Sequence, residues 1–434
     1  MVNLNYCYRQ IKNLLLLTFL LPVLTTANAS LLTFGLNPET AVQQEEYLLY
    51  QKARTHYFNK AYDAAEILYK QSLEANPIFF PSMIGLADIA FIRNRINKAE
   101  KYLEDALDAA PNSAIVQTAM GKYYYSKGDH NEAELFFKKA IVINADNPDP
   151  HAELAALYLL QLNRLEDSVK EYKLAIKLSS GNLDYYYGLS VALSKQQKRT
   201  EAIAILEQAA KIQPDNPFPL ELKAQLLAGN NQFNEAIDSY QQALAMNPES
   251  SSYYWALGNI YLAQNELPKA LDAFDQFLSI KPGSAVGFIK KGIVYSLQND
   301  NENAEKTYLA ALEIDSELSI AYNNLAHGEL SSNSSLIKAI NWAKKAIALE
   351  PKNPLYLDTL ASLYKKQGQL RLAKITLEKA IESNAAPPEV YYHLGIVYSE
   401  LGDIESAKRS LSKALSLSRE FSGANDAQSK LDSL

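Results

Sequence analysis

The chain has 434 residues, 48% hydrophobic and 21% charged, with 16 glycines and 17 prolines, the composition of a folded protein and not of a disordered or collagen-like one. A formal net charge of −7 speaks against a nucleic-acid surface, which needs clustered basic residues to neutralise phosphates. Cys7 is the single cysteine, so no disulfide framework staples the fold.

Residues 1–29 stand apart. Arg9 and Lys12 precede an apolar run from Leu14 to Leu24, and Ala27 and Ala29 form an A-x-A site; this is the order of a secretory signal peptide. As a helix the run spans about 16 Å, against roughly 30 Å of hydrocarbon core, and Pro22 interrupts it, so a membrane anchor is the weaker reading. Cys7 lies ahead of the apolar run, not at the cleavage point where a lipoprotein needs its cysteine. Cleavage after Ala29 leaves 40 basic and 49 acidic residues and no cysteine, in an exported, most simply periplasmic, protein stabilised by packing alone. Residues 30–45 are a short N-terminal segment.

From there the sequence is periodic. Small residues recur at Ala65, Ala99, Ala133, Ser168, Ala202, Ala236, Ala270, Ala304, Ala339, Ala373 and Ala407, 34 residues apart except for two gaps of 35. A second series runs Ala53, Ala87, Gly121, Ala155, Ser190, Ala224, Gly258, Gly292, Ala326, Ala361 and Gly395. A third follows the first by seven residues, from Ser72 to Ala414, with Phe277 as its one bulky member. Each period reads as two amphipathic helices, often closed by a proline such as Pro111, Pro248 or Pro282. Helices of this length are marginal alone and persist by burying apolar stripes against their neighbours. The small positions mark helix crossings, where a larger side chain would overpack the interior. Tyr69, Phe137, Tyr172, Tyr240, Phe274 and Tyr308 supply the opposing bulk.

The pattern resembles the tetratricopeptide repeat family. The W/Y-x-x-L-G-x-x-Y start stands here as Tyr254, Leu257, Gly258 and Tyr261, the A-x-x-x-F signature as Ala270 and Phe274, and the closing proline as Pro282. The resemblance covers residues 46–421 and implies an all-α, right-handed superhelical solenoid of about eleven helix-turn-helix repeats. Departures are local: the repeats near 148 and 319 carry one extra residue, and Ala145, Ser316 and Ala385 stand where proline is expected. Residues 422–434 form a capping helix over the last repeat, as solenoid ends require.

The resemblance also implies a concave groove lined by the first helix of each repeat. Its expected lining is Tyr50, Arg54, Tyr57, Asp88, Phe91, Lys122, Tyr125, Tyr187, Glu221, Gln225, Trp255, Asn259, Asn323, Asn324, Asp358, Ser362 and Tyr392. In the paired aromatics, Tyr186, Tyr254 and Tyr391 are expected inward, Tyr187, Trp255 and Tyr392 in the groove, and Tyr253 on the outer side. Aromatics interleaved with amides and charges suit a protein or peptide partner, or a glycan chain. At the groove positions where some family members place a carboxylate-clamping lysine, this chain has none. Residues 30–318 carry 26 basic and 37 acidic residues, a net −11, whereas residues 319–434 carry 14 and 12, a net +2.

No enzymatic chemistry stands out. The five histidines lie in different repeats without metal-ligand spacing, so no metal or cofactor is expected. Ser190 in GLSVA falls at a helix crossing, not at a strand-to-helix elbow, and Ile293 follows GFIKKG where a phosphate-binding loop needs lysine. The expectation is a non-enzymatic envelope scaffold. The alternative is an accessory of exopolysaccharide assembly or export, because the last third resembles repeat proteins of the PEP-CTERM/exosortase system.

Overall fold

A computed structural model describes residues 45–331, 335–382 and 386–434; the expected signal peptide and residues 30–44 lie outside them. The described residues form 23 α-helices and no strand. They divide into two compact units, one ending at Leu226 and the other beginning at Leu227.

In the N-terminal unit, α1 (Glu45–Phe58) pairs with α2 (Tyr62–Ala75), α3 (Phe80–Ile92) with α4 (Ile96–Ala109), and α5 (Ala114–Lys127) with α6 (His130–Ile143). Then α7 (Pro148–Leu160) pairs with α8 (Leu165–Leu178), and α9 (Leu183–Lys195) with α10 (Arg199–Ile212); the unit boundary falls inside α11 (Phe218–Gly229). The C-terminal unit opens with α12 (Phe233–Met246) and continues with the pairs α13 (Ser251–Ala263) and α14 (Leu267–Ile280), and α15 (Ala285–Leu297) and α16 (Asn301–Ile314). It ends with α17 (Ser319–Ser331) and α18 (Leu336–Leu349), α19 (Pro354–Lys366) and α20 (Leu370–Ile381), α21 (Pro388–Glu400) and α22 (Ile404–Leu417), and α23 (Ala424–Ser433).

The two helices of a hairpin differ in how they are buried, and sequence explains why. FPSMIGLADIAFI (α3) buries nine residues on several sides, whereas INKAEKYLEDALDA (α4) buries only Ala99, Leu103 and Ala106, one stripe at helical spacing. First helices also touch the first helices of adjacent hairpins, as α1 with α3, α3 with α5, α17 with α19 and α19 with α21. No two second helices make comparable contact among the described residues. First helices therefore line an inner wall in each unit, and second helices splay outside it.

Capping follows local chemistry. Asp129, Asp300 and Asp403 accept from the third backbone N–H of their second helices, and Asn147, Asn182 and Asn353 serve first helices in the same way one residue earlier. The turn inside a hairpin places one residue in the left-handed region, usually Asn or Gly, but Lys60 (φ 59°) and Gln197 (φ 63°) in two of them. The extra residue of the fourth repeat sits in such a turn, Gln161 to Arg164, leaving both flanking helices intact.

The small-against-large crossing takes two forms. A Cβ at Gly121 would lie 2.5 Å from Cε1 of Phe137 in its own hairpin, while one at Gly188 would lie 2.1 Å from Cζ of Tyr172 in the preceding hairpin. Phe277, the bulky member of a small series, is accommodated by a matching reduction: a Cβ on Gly287 of α15 would meet Phe277 Cε1 at 2.8 Å and Leu278 Cδ2 at 2.7 Å. Other first helices carry Tyr185, Tyr253, Tyr356 or Val390 at the register of Gly287. Beyond the last hairpin, Phe421 and the α23 residues Ala424 and Ala427 cover Leu411 and Ala414.

Candidate partner-binding surface

Along the inner wall of the N-terminal unit, one register places Arg54, Asp88 and Lys122 on α1, α3 and α5, and a register one turn later places Tyr57, Phe91 and Tyr125 on the same helices. All six are half-buried. Lys122 pairs with Glu153 of α7 at 2.7 Å; burial opposes its charge, but that carboxylate wins and holds the ammonium above its usual range. Arg54 lies over the rings of Tyr50 and Phe58, 5.8 and 5.6 Å from their centroids, and its buried Nε donates to no acceptor. Asp88 makes no hydrogen bond or ion pair among the described residues. Burial pushes its carboxyl up to about 6, with Lys122 opposing. A carboxylate held in such surroundings without a partner is destabilising unless something binds it.

Three expected groove residues are buried instead. Tyr50 is 1% exposed, covered by Phe79 (ring centroids 5.7 Å apart) and Tyr47 (6.2 Å). Tyr187 is 7% exposed under the edge of Phe218 at 4.7 Å, and its hydroxyl makes no hydrogen bond. Asn259 is 8% exposed and turns its amide inward, Nδ2 donating to the Trp255 carbonyl at 2.7 Å. Tyr253, expected outside, is buried and packs on Tyr240 with centroids 6.0 Å apart. Phe79, Phe218 and Tyr240 cover Tyr50, Tyr187 and Tyr253 from outside their own helices, which helical direction alone does not reveal, whereas Asn259 is turned in by its own helix.

In the C-terminal unit, Trp255 is half-buried against Phe277 (5.0 Å) and Phe274 (5.7 Å), with Lys290 Nζ 5.7 Å from its ring. Asn323 is also half-buried, and its shielded Oδ1 accepts no hydrogen bond. Asn324 borders a separate cleft of about 170 Å³ with Glu302, Glu305 and Trp342. Glu221 and Gln225, in the N-terminal unit, are bonded to each other, Nε2 to Oε1 at 3.1 Å.

The structure gathers Ser362 and Tyr392 around a cleft of about 400 Å³ between α19 and α21, together with Lys365, Lys366 and His393, which sequence reading missed; Asp358 is bonded to His393 but does not line the cleft. His393 Nδ1 lies 2.7 Å from Asp358 Oδ1. Burial opposes a charge on this imidazole, but the carboxylate outweighs it and holds His393 above the ordinary range; burial holds His327 of α17 below it. Asp358 of α19 thus acts electrostatically on an imidazole of the first helix on either side of it. No cluster of metal-ligating residues occurs among the described residues, and no described helix is long and apolar enough to cross a membrane.

Stacked helical hairpins with a polar and aromatic inner wall define the class, an α-helical repeat solenoid. Models of the tetratricopeptide repeat match residues 59–123, 154–217 and 222–285, and also 115–147, 287–318, 356–387 and 388–421. The chain belongs to the tetratricopeptide repeat family.

Among curated proteins, anaphase-promoting complex subunit CDC16 of Saccharomyces cerevisiae is 27% identical over 150 residues, 32% of this chain and 18% of that protein. Protein O-mannosyl-transferase TMTC1 of Homo sapiens is 25% identical over 136 residues, 31% of this chain and 15% of that protein. The matched stretches are thus about a fifth or less of these relatives' length. Among solved structures, yeast Tom70 gives a TM-score of 0.45 at 15% identity, covering 89% of this chain and 95% of that one. The C-terminal part of a TPR repeat-containing protein from Cytophaga hutchinsonii gives 0.49 at 17% identity, covering 55% and 98%.

Proposed function

We propose that this protein is a non-enzymatic scaffold, exported to the periplasm, that binds protein or peptide partners along the inner wall of its hairpins. The observation that carries the reading is the pair Arg54 and Asp88: two charged groups at one register, each partly desolvated and neither ion-paired, beside Tyr57, Phe91 and Tyr125. A structural role would leave them paired or replaced by apolar residues; a partner supplying a carbonyl or carboxylate to Arg54 and an N–H to Asp88 satisfies both. The flanking rings offer apolar area at small entropic cost. Repeat proteins present such extended inner surfaces for docking, and complex subunits among the relatives fit the same use. Export rests on the order of features in residues 1–29.

The test is affinity capture from a periplasmic fraction with the wild type, Arg54→Ala and Asp88→Asn, with captured proteins quantified by mass spectrometry. The reading expects a defined set of partners to fall at least about tenfold in both variants, corresponding to the loss of one charge-assisted contact each. Unchanged capture of every partner by both folded variants refutes wall binding.

A further inference from the structure

The outer helices of the last three hairpins carry a charge that the other outer helices lack. Together α18, α20 and α22 hold nine basic and two acidic residues. The eight second helices from α2 to α16 hold 12 basic and 21 acidic residues. Each of the last three buries one stripe of small and apolar side chains, Ala339, Ala343 and Ala346 in α18, and turns the opposite side to solvent. On that side an exposed lysine recurs at one register, as Lys345, Lys379 and Lys413. Arg371 lies two turns before Lys379, and Arg409 one turn before Lys413, on the same exposed stripes. Arg371, Lys379 and Lys413 make no ion pair among the described residues; Lys345 lies 5.2 Å from the Tyr322 ring, and Arg409 donates to the Ser406 hydroxyl at 2.9 Å. Glu405 is the one acid on the three stripes. Among these cations two large apolar side chains stand in solvent. Ile375, 59% exposed, sits one turn from both Arg371 and Lys379, and Ile337, 71% exposed, opens the α18 stripe.

We propose that this outer face docks on an anionic lipid bilayer, with its lysines and arginines on lipid phosphates and Ile337 and Ile375 between the headgroups. The surface is distinct from the inner wall, so the proposal goes beyond partner binding there and does not depend on it. Two kinds of signal meet on one face, and a bilayer answers both: phosphates for the cations and the acyl boundary for the isoleucines. A soluble polyanion supplies the counter-charge but gives the isoleucines nothing to bury against. The recurring residue is lysine, a compact charge on a flexible stem, which suits a fluid sheet of phosphates better than the fixed carboxylates of a folded partner. An anionic surface also repels the acidic helices from α2 to α16, which selects the last three for contact.

The experiment is co-sedimentation of the chain from Ser30 onwards, the product of the expected cleavage, with vesicles of phosphatidylcholine alone or mixed equally with phosphatidylglycerol. The chain binds the mixed vesicles, binds the neutral ones at least about tenfold more weakly, and is released by raised salt. Lys379→Gln combined with Lys413→Gln weakens binding by at least about tenfold, since each cation near such a surface is worth roughly fivefold. Lys101→Gln combined with Lys170→Gln, the same charge change at exposed sites on α4 and α8, leaves it unchanged. Ile337→Ser combined with Ile375→Ser weakens it by about threefold or more, through apolar area no longer buried. Circular dichroism and urea midpoints establish that the variants are folded. Equal binding to both vesicles, binding to neither, or unchanged affinity in the Lys379 and Lys413 variant overturns the proposal. Unchanged affinity in the isoleucine variant overturns it too, and points to a soluble polyanion instead. Every substituted residue lies outside the inner wall, so the Arg54 and Asp88 captures succeed or fail independently of this result.

Discussion

Asp88→Asn is predicted to stabilise the protein while weakening partner capture. Asp88 sits on the inner face of α3, within electrostatic reach of the Tyr50, Tyr57 and Tyr69 hydroxyls, and burial raises its carboxyl to about 6 from an ordinary 3.8. The folded state therefore binds this proton more tightly than the unfolded state. The associated stability is fully present below pH ~3.8 and is lost as pH rises through about 6. Two units at about 1.36 kcal/mol each set a ceiling near 3 kcal/mol; partial solvent access reduces the expected penalty at neutral pH to about 1–2 kcal/mol. Asparagine keeps the shape without the charge. Long repeat arrays unfold in stages, so the measurement is urea-dependent hydrogen exchange of the α3 amides, resolved by mass. The variant should gain about 1–2 kcal/mol of protection at neutral pH and nothing near pH 4. A loss of protection at neutral pH refutes the reasoning, because it means that Arg54 or Lys122 holds the carboxylate in a net favourable pair. Opposite signs for stability and binding are the mark of a residue retained for a partner.

Three further outcomes follow from packing and backbone geometry. Gly287→Val places a side chain into Phe277 and Leu278 and should destabilise the C-terminal unit by about 2–3 kcal/mol, with Gly287→Val combined with Phe277→Ala recovering part of that loss in urea titrations. Gln197→Gly relieves a left-handed residue at φ 63° and should raise the stability of the α9–α10 hairpin by up to about 1 kcal/mol, read as slower exchange there; a loss means that the side chain makes an interaction worth more than the strain. Ala427→Asp buries a charge between α23 and the last hairpin and should expose α22 to proteolysis while leaving α1 to α10 protected, since coupling in such arrays is between neighbours.

The fold was legible because a crossing that admits only a small side chain leaves the same mark at each repeat, and the 34-residue return of that mark fixes the hairpins and their order. Of the candidate surface, the register of the first-helix residues was legible but not their burial. Periodicity correctly set Tyr57, Phe91 and Tyr125 at one register of the first helices, where they are half-exposed, yet it could not show that Phe218 seals Tyr187 or that Phe79 seals Tyr50. Cover comes from an adjacent helix whose side-chain sizes vary from repeat to repeat. Sequence distance misled in the opposite sense for the histidines. Asp358 and His393 are 35 residues apart and bonded at 2.7 Å, because one period separates them and one period is a single step between neighbouring first helices. In a solenoid, residues that share a register are spatial neighbours, so a search for sites in such a chain should proceed down columns of the repeat. Arg54, Asp88 and Lys122 form one such column; Lys365, one register position from the obvious aromatics in other repeats, belongs to the column of Tyr57, Phe91 and Tyr125. Between them the same column carries Leu159, Ser194, Ala228, Leu262, Ser296 and Leu330, so its aromatic stretch is confined to the first three hairpins.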